Sequence, residues 1–130
     1  MKKLAIIAIL LLFVFSGCGQ TSTEEEDNTA KAEAFLDQIV NEEYEAAREN
    51  FDETMDSNVS AEGLEEIWVG ITTQVGAFQK HTDSRLEEDD GYQMVYLTCA
   101  FEKENLDMRV VFNEKGQIAG LQFVPVTTAE

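Results

Sequence analysis

Few side chains in this 130-residue sequence are suited to hydrolytic chemistry. The only histidine is His81, and no Gly-x-Ser-x-Gly segment supplies a serine nucleophile. A Ser-His-Asp triad would depend on His81, which lies in a mostly polar segment with the weak alternation of an edge strand. An exposed histidine is the ordinary outcome at such a position. The sequence therefore predicts no catalytic residue of this kind.

Acidic residues are abundant, but their spacing does not match a metal site. If Gly91 is placed at the sixth position of a calcium-binding loop, leucines occupy positions one and twelve, where oxygen ligands are required. A loop beginning at Asp52 has Ser57 in place of the glycine and Gly63 in place of the final glutamate. One histidine and one free cysteine do not support zinc. We expect a solvated acidic surface, with no metal and no cofactor.

Four aromatic residues are candidates for lining a ligand cavity, namely Tyr44, Trp68, Tyr92 and Tyr96. In a small enzyme, a tyrosine or a carboxylate at the floor of an internal cavity can transfer a proton. Trp68 lies on the apolar stripe of a predicted helix, which favours a place in the core. The sequence does not decide between these alternatives.

The N-terminus has the layout of a secretory signal peptide. Two lysines precede the apolar run Leu4–Phe15, which is about half the length that a membrane-spanning helix needs. Residues 15–18 read Phe-Ser-Gly-Cys and resemble the lipobox of prokaryotic lipoproteins. The resemblance implies that residues 1–17 are removed and that Cys18 carries a diacylglyceryl group. Two acyl chains would hold the protein at the extracytoplasmic face of the cell membrane.

The remaining composition limits the partners. With 9 Lys plus Arg against 26 Asp plus Glu, the formal charge is −17, which excludes nucleic acid and a polybasic membrane patch. Lipidation of Cys18 leaves Cys99 without an intramolecular disulfide partner, and its apolar neighbours predict a buried thiol. After Cys18, residues 19–28 lack apolar side chains, so residues 18–28 are predicted to be the lipidated cysteine and an acidic flexible tether. A single domain is expected over residues 29–130.

The pattern of apolar residues predicts helices first and strands afterwards. Helical spacing extends from Phe35 to Val75, with Ser60 as an N-cap and Gly76 at the end of the last helix. The period then changes to two, which predicts a polar edge strand and three further strands at Val95–Phe101, Leu106–Phe112 and Ile118–Val124. The expected α+β fold has N-terminal helices packed on a curved four-stranded antiparallel meander. This arrangement is typical of the cystatin-like or nuclear-transport-factor-2-like cone.

Several segments also resemble the prokaryotic domain-of-unknown-function family numbered 3887. Leu64 and Trp68 fit this pattern, together with the segments Glu43–Ala47, Phe51–Met55, Val75–Phe78, Leu106–Asn113 and Gly116–Leu121. The resemblance implies a small cone-shaped α+β domain. The family supplies no agreed catalytic residues to assign here.

Three functions remain open at this stage. The leading hypothesis is a membrane-tethered, non-catalytic lipoprotein that binds a small ligand or an envelope protein. The alternative is a small cone-fold enzyme with an acid or tyrosine in an internal cavity, which rests on analogy of fold alone. The third is an assembly module that forms a homodimer through an edge strand or an exposed sheet face.

Overall fold

The computed structural model describes the backbone of residues 20–126 and the side chains of residues 27–126. The predicted signal peptide at residues 1–17 and the predicted lipidation site Cys18 lie outside the described residues. The helices are α1 (Gln20–Val40), α2 (Tyr44–Ala47), α3 (Glu53–Asn58) and α4 (Ala61–Val75), with a 3-10 turn at Arg48–Asn50. The strands are β1 (Phe78–Asp89), β2 (Tyr92–Phe101), β3 (Asn105–Phe112) and β4 (Ile118–Pro125). None of the helices in this part of the chain combines the length and hydropathy needed to cross a membrane.

Helix α1 begins well before the predicted domain boundary at Thr29. It includes most of the segment interpreted as a flexible tether, and Asn28 is only 6% exposed. The Nδ2 of Asn28 donates to Oε1 of Gln93 on β2 at 2.6 Å, which fixes this turn of the helix to the sheet. Polarity alone does not separate a solvated tether from a solvent-facing helix, because Glu and Lys are good helix formers. Asn28, the residue before the predicted boundary, is thus packed against the sheet.

Helix α4 confirms both of its predicted ends. The hydroxyl of Ser60 accepts a hydrogen bond from the Gly63 N–H at 3.0 Å, so it caps one of the N–H groups that have no partner within the helix. Gly76 follows the last residue of the helix and has φ 88°, a backbone conformation that residues with a side chain rarely adopt. Between these ends, Leu64, Trp68 and Val75 turn toward the sheet and are buried.

The four strands form an antiparallel sheet in the order β1-β2-β3-β4. Each strand pairs with its neighbour in sequence, so the predicted meander and the α+β class are confirmed. Asp90 and Gly91 have positive φ values of 50° and 84°, as a two-residue hairpin turn between β1 and β2 requires. In β1, Gln79 and Thr82 have no partner on β2, and each marks a bulge where the register shifts by one residue.

The core lies between the helices and one face of the sheet. This inner face carries the alternating apolar positions of β2 and β3 that the period of two predicts. The largest side chains with almost no exposure include Phe35, Leu36, Leu64, Leu97, Met108 and Phe112. Aromatic and aliphatic groups thus fill the space between the helices and the sheet, where the enzyme alternative requires a polar cavity.

Cys99 lies on this inner face and is completely buried. Burial, with a smaller contribution from the nearby Asp107 carboxylate, raises the pKa of its thiol from 9.0 to about 12. Between these values the unfolded chain releases a proton that the folded chain retains. The free energy of unfolding should therefore fall as pH rises above 9.0, by at most about 1.4 kcal/mol per pH unit from this group.

We expect a Cys99→Ala variant to lose stability less steeply in this alkaline range than the natural chain does. Urea denaturation of both proteins at several pH values from about 8 to about 10 measures the two slopes. The comparison of slopes cancels the constant cost of the cavity that alanine leaves. Equal slopes would show that the thiol ionises as readily in the folded protein as in the unfolded chain.

Candidate binding surface on the open face of the sheet

The side of the sheet that faces away from the helices carries a second, mostly polar set of side chains, called the open face below. The strand register arranges these side chains in rows that cross neighbouring strands. One row consists of Arg85, Tyr96, Arg109 and Gln122. The adjacent rows consist of Asp83, Thr98, Asp107 and Val124, and of Glu87, Met94, Val111 and Gly120.

Asp107 is the most unusual residue of the open face, because its side chain is charged and 0% exposed. One carboxylate oxygen, Oδ1, accepts a hydrogen bond from the Thr98 hydroxyl at 2.7 Å. The other, Oδ2, has no hydrogen-bond partner and lies 3.5 Å from Nη1 of Arg85. A buried carboxylate is costly unless it is paired, so Arg85 supplies the charge that makes this position tolerable.

Tyr96 contacts both arginines of the open face, one through its ring and one through its hydroxyl. The Arg85 guanidinium carbon lies 4.1 Å from the ring centroid, within the range of a cation-π contact. At the edge of the same ring, Nε of Arg109 donates to the phenol oxygen at 3.2 Å, and its Nη1 donates to Oε1 of Gln122 at 2.9 Å. All four strands therefore contribute to one continuous polar network.

The charges of the two arginines are only partly compensated. Arg109 donates to neutral oxygens, and no described carboxylate lies within ion-pair distance of it. Arg85 lies 3.5 Å from Asp107 and 3.7 Å from Glu87, but its guanidinium makes no hydrogen bond to a described residue. The chain has only three arginines, and two of them lie in one row of the open face, on either side of Tyr96. Their remaining N–H donors suit a partner that presents carboxylates.

The pair formed by Arg85 and Asp107 can be tested by stability. We expect Arg85→Ala to lower the free energy of unfolding by about 1–3 kcal/mol, because it leaves the Asp107 carboxylate buried without a counter-charge. Adding Asp107→Asn should recover part of that loss, since the neutral amide no longer needs the guanidinium. Arg109→Ala is the matched control and should cost less than about 1 kcal/mol. Chemical denaturation of the four proteins would contradict the pairing if Asp107→Asn gave no recovery.

A separate polar cleft of about 340 Å³ lies at one end of the sheet. It forms where α1 meets the β1-β2 and β3-β4 turns, and its lining includes Asn28, Lys31, Gln93 and Glu114. Nζ of Lys31 donates to the Gly116 carbonyl at 3.1 Å and thereby ties the helix to the second turn. This cleft is open, and its polar groups are largely bonded to one another.

The structure distributes the four aromatic candidates over separate places. Trp68 lies in the core and Tyr96 on the open face, while Tyr92 is 46% exposed beside the β1-β2 turn. Tyr44 is half-buried against the core, and burial raises the pKa of its phenol, with Glu42 and Glu65 adding to the rise. Tyr92 lines two further clefts at this end of the sheet, whereas none of the four lines the cleft formed with α1. The described residues therefore do not bring the four together.

His81, the only histidine, lies on β1, where its Nε2 is 2.7 Å from the backbone carbonyl oxygen of Asp83. In the part of the chain that the structure describes, no three His, Cys, Asp or Glu side chains converge on a point where a metal ion could bind.

Sequence reasoning identified Tyr96 but missed the other residues of the network on the open face. Thr98, Asp107 and Arg109 occupy the alternate positions of two strands whose other positions are apolar. Such positions are ordinarily solvated, so the burial of Asp107 was not expected. The available signal was that two cationic side chains of a strongly acidic chain occupy strands that pair with the same neighbour.

The fold and this network define a small α+β domain with an apolar core and a polar network on the open face of its sheet. The family model described as "Protein of unknown function (DUF3887)" matches residues 32–121, and the chain belongs to this family. Neither the comparison with curated proteins nor that with solved structures found a match. The match runs from α1 into β4 and includes Arg85, Tyr96 and Arg109, but not Gln122.

Proposed function

We propose that this protein is a lipoprotein held at the extracytoplasmic face of the cell membrane by Cys18, and that its domain binds another envelope protein without catalysing a reaction. The observation that carries the binding role is the row Arg85–Tyr96–Arg109 on the open face. Its side chains are fixed by one another, and both guanidiniums keep donors available. A fixed surface loses little conformational freedom when a partner binds.

The composition of the open face supports a protein partner. Tyrosine, methionine and arginine are enriched at the centre of protein interfaces, and Arg and Tyr supply much of the binding energy there. Tyr96 and the two arginines are surrounded by the partly exposed Val111 and Val124, with Met94 in the next row. A partner that presents an acidic side chain to the arginines would complement this surface.

Membrane anchoring is supported by the sequence of residues 15–18, which resembles a lipobox. Metabolic labelling of the full chain with a palmitate analogue should label the natural protein in the membrane fraction. Changing Cys18→Ser should abolish the label and release the protein from the membrane. Cys99→Ala serves as the control and should leave the label unchanged. A Cys18→Ser protein that remains labelled and membrane-bound would contradict the anchor.

The binding role is tested by photo-crosslinking in intact cells. A photoreactive amino acid at Val111, beside the arginine row, should give a discrete cross-linked product. The same group at Thr73, which is exposed on α4, should not give that product. Arg109→Ala should remove the product from the Val111 position while leaving the protein folded. Products that are the same from both positions, or that persist without Arg109, would contradict the proposed surface.

A second measurement tests the hypothesis that the domain binds a small ligand. Native mass spectrometry of the protein recovered gently from its own envelope would show a discrete added mass if a small molecule occupied the domain. Such a mass, together with the absence of a Val111 cross-link, would favour a small ligand over a protein partner.

A further inference from the structure

The two edges of the sheet differ in how they are covered. Phe51 forms a parallel bridge with Ile118 on β4, and the Asp52 N–H donates to the Ile118 carbonyl at 2.9 Å. Strand β1 pairs with β2 on one side, and no described segment pairs with its other side. A free edge of this kind is a template for another strand.

We propose that β1 pairs with β1 of a second copy of this chain, antiparallel, about a two-fold axis at Ser84. In such a pairing Ser84 of one copy lies opposite Ser84 of the other copy. A residue that precedes Ser84 in one copy lies opposite a residue that follows Ser84 in the other copy. Residues that oppose each other must also lie on the same face of the sheet. Thr82 is the extra residue of a bulge, so it is left out when residues are counted from the axis. The condition then places Asp83 opposite Arg85 and Lys80 opposite Glu87.

In this register the charged side chains of β1 in one copy lie opposite side chains of opposite charge in β1 of the other copy. Asp83 and Arg85 pair twice across the axis, and so do Lys80 and Glu87, so four opposite-charge pairs form between the two copies. Neighbouring registers lack this property. An axis at Arg85 places Lys80 opposite Asp89 but Asp83 opposite Glu87, so attractive and repulsive pairs are mixed. An axis at Leu86 likewise places Arg85 opposite Glu87 but Asp83 opposite Asp89. Opposed like charges destabilise a strand pair, so Ser84 is the favoured axis.

A second copy would also provide partners for two cationic side chains that have few partners within a single chain. The Arg85 guanidinium makes no hydrogen bond to a described residue, although it is held in place by Tyr96. Lys80 is exposed and forms no ion pair with a described carboxylate. The second copy's Asp83 and Glu87 would supply these partners. A chain with a net charge of −17 repels its own copies at long range, so a locally matched strand is the feature that permits contact.

Disulfide cross-linking in the full chain tests the axis directly. A Ser84→Cys change places two thiols opposite each other, within the Cα separation that a disulfide allows. Mild oxidation of membranes should then yield a disulfide-linked dimer. Glu88→Cys is the matched control on the same strand. Its two copies would lie about 26 Å apart, eight residues along the strands, and should not cross-link. Equal yields at both positions, or no dimer from Ser84→Cys, would overturn the pairing.

Charge exchange tests the register in the Ser84→Cys background. Lys80→Glu and Glu87→Lys each convert two attractive pairs into two repulsive ones, which should lower the yield of dimer about tenfold. The double variant restores attraction and should recover the yield. The single changes shift the net charge in opposite directions, so a shared loss cannot come from net charge. Lys103→Glu and Glu62→Lys, outside β1, are controls of equal charge. A double variant no better than the singles would overturn the register.

Discussion

Replacing Trp68 with alanine is expected to lower the free energy of unfolding by about 3–5 kcal/mol. Trp68 is 8% exposed, and its ring lies within about 6 Å of the rings of Phe78, Phe101 and Phe123. The three phenylalanines belong to β1, β2 and β4, so the tryptophan joins α4 to three strands at once. Its removal leaves a cavity that no single neighbour can fill.

The measurement is denaturation followed by circular dichroism, because Trp68 is the only tryptophan and the variant loses its intrinsic tryptophan fluorescence. Val69→Ala is the control, since that side chain is adjacent in the helix but 51% exposed, and its change should cost less than about 0.5 kcal/mol. A Trp68→Ala loss no larger than the Val69→Ala loss would show that the helix does not pack on the sheet as described.

Gly76→Ala is expected to lower the free energy of unfolding by about 2–4 kcal/mol. The backbone at Gly76 has φ 88° and ψ −176°, a region that is essentially reserved for glycine. A Cβ built there would also lie 2.6 Å from Cβ of Glu102, closer than carbon atoms can approach. The surrounding junction cannot shift freely, because Lys103 N–H donates to the Val75 carbonyl at 2.8 Å.

Gly70→Ala is the matched control for this prediction. Gly70 lies inside α4, and a Cβ added there meets no atom within 4 Å. The change should raise the free energy of unfolding by about 0.5–1 kcal/mol, because alanine is the better helix former. Thermal denaturation of both variants should therefore give shifts of opposite sign. Similar losses from the two changes would contradict the account of the helix end at Gly76.

The order of elements could be predicted because each signal was local. The 3.6-residue spacing between Leu64 and Val75 and the alternation through Val95–Phe101 each identify one face that must be buried. Ser60 and Gly76 define the ends of α4 through hydrogen bonding and backbone freedom that belong to those residue types. These features do not depend on which other segments lie nearby.

Other features could not be predicted because they depend on tertiary neighbours. Asp52 is the N-cap of helix α3, and its carboxylate accepts a hydrogen bond from the Met55 N–H at 2.8 Å, yet the short sequence of this helix carries little apolar periodicity. The early start of α1 relies on the contact between Asn28 and Gln93, which are 65 residues apart. The burial of Asp107 results from Thr98 and Arg85 on the two preceding strands. Such arrangements require the register, which a single sequence does not specify.

The chemistry of the open face was hidden for the same reason. Tyr96 was identified as a candidate site residue because of its type, but in the structure it lies on the open face of the sheet and not in a cavity. The residues that give it a role, Arg85 and Arg109, are separated from it in sequence and meet it only through strand pairing. The sequence could indicate the residue type, while the register decided its neighbours.

The nearest-neighbour order of the strands has a consequence for how fast the chain folds. Every strand pair in the sheet closes through a short turn, so the entropy lost in loop closure is small at each step. Proteins rich in such local contacts fold quickly for their size. Other contacts join distant parts of the chain, among them the packing of α1 on β2 and the bridge between Phe51 and Ile118. Changes at these two contacts should slow folding more than equally destabilising changes within the hairpins, because they depend on long-range closure.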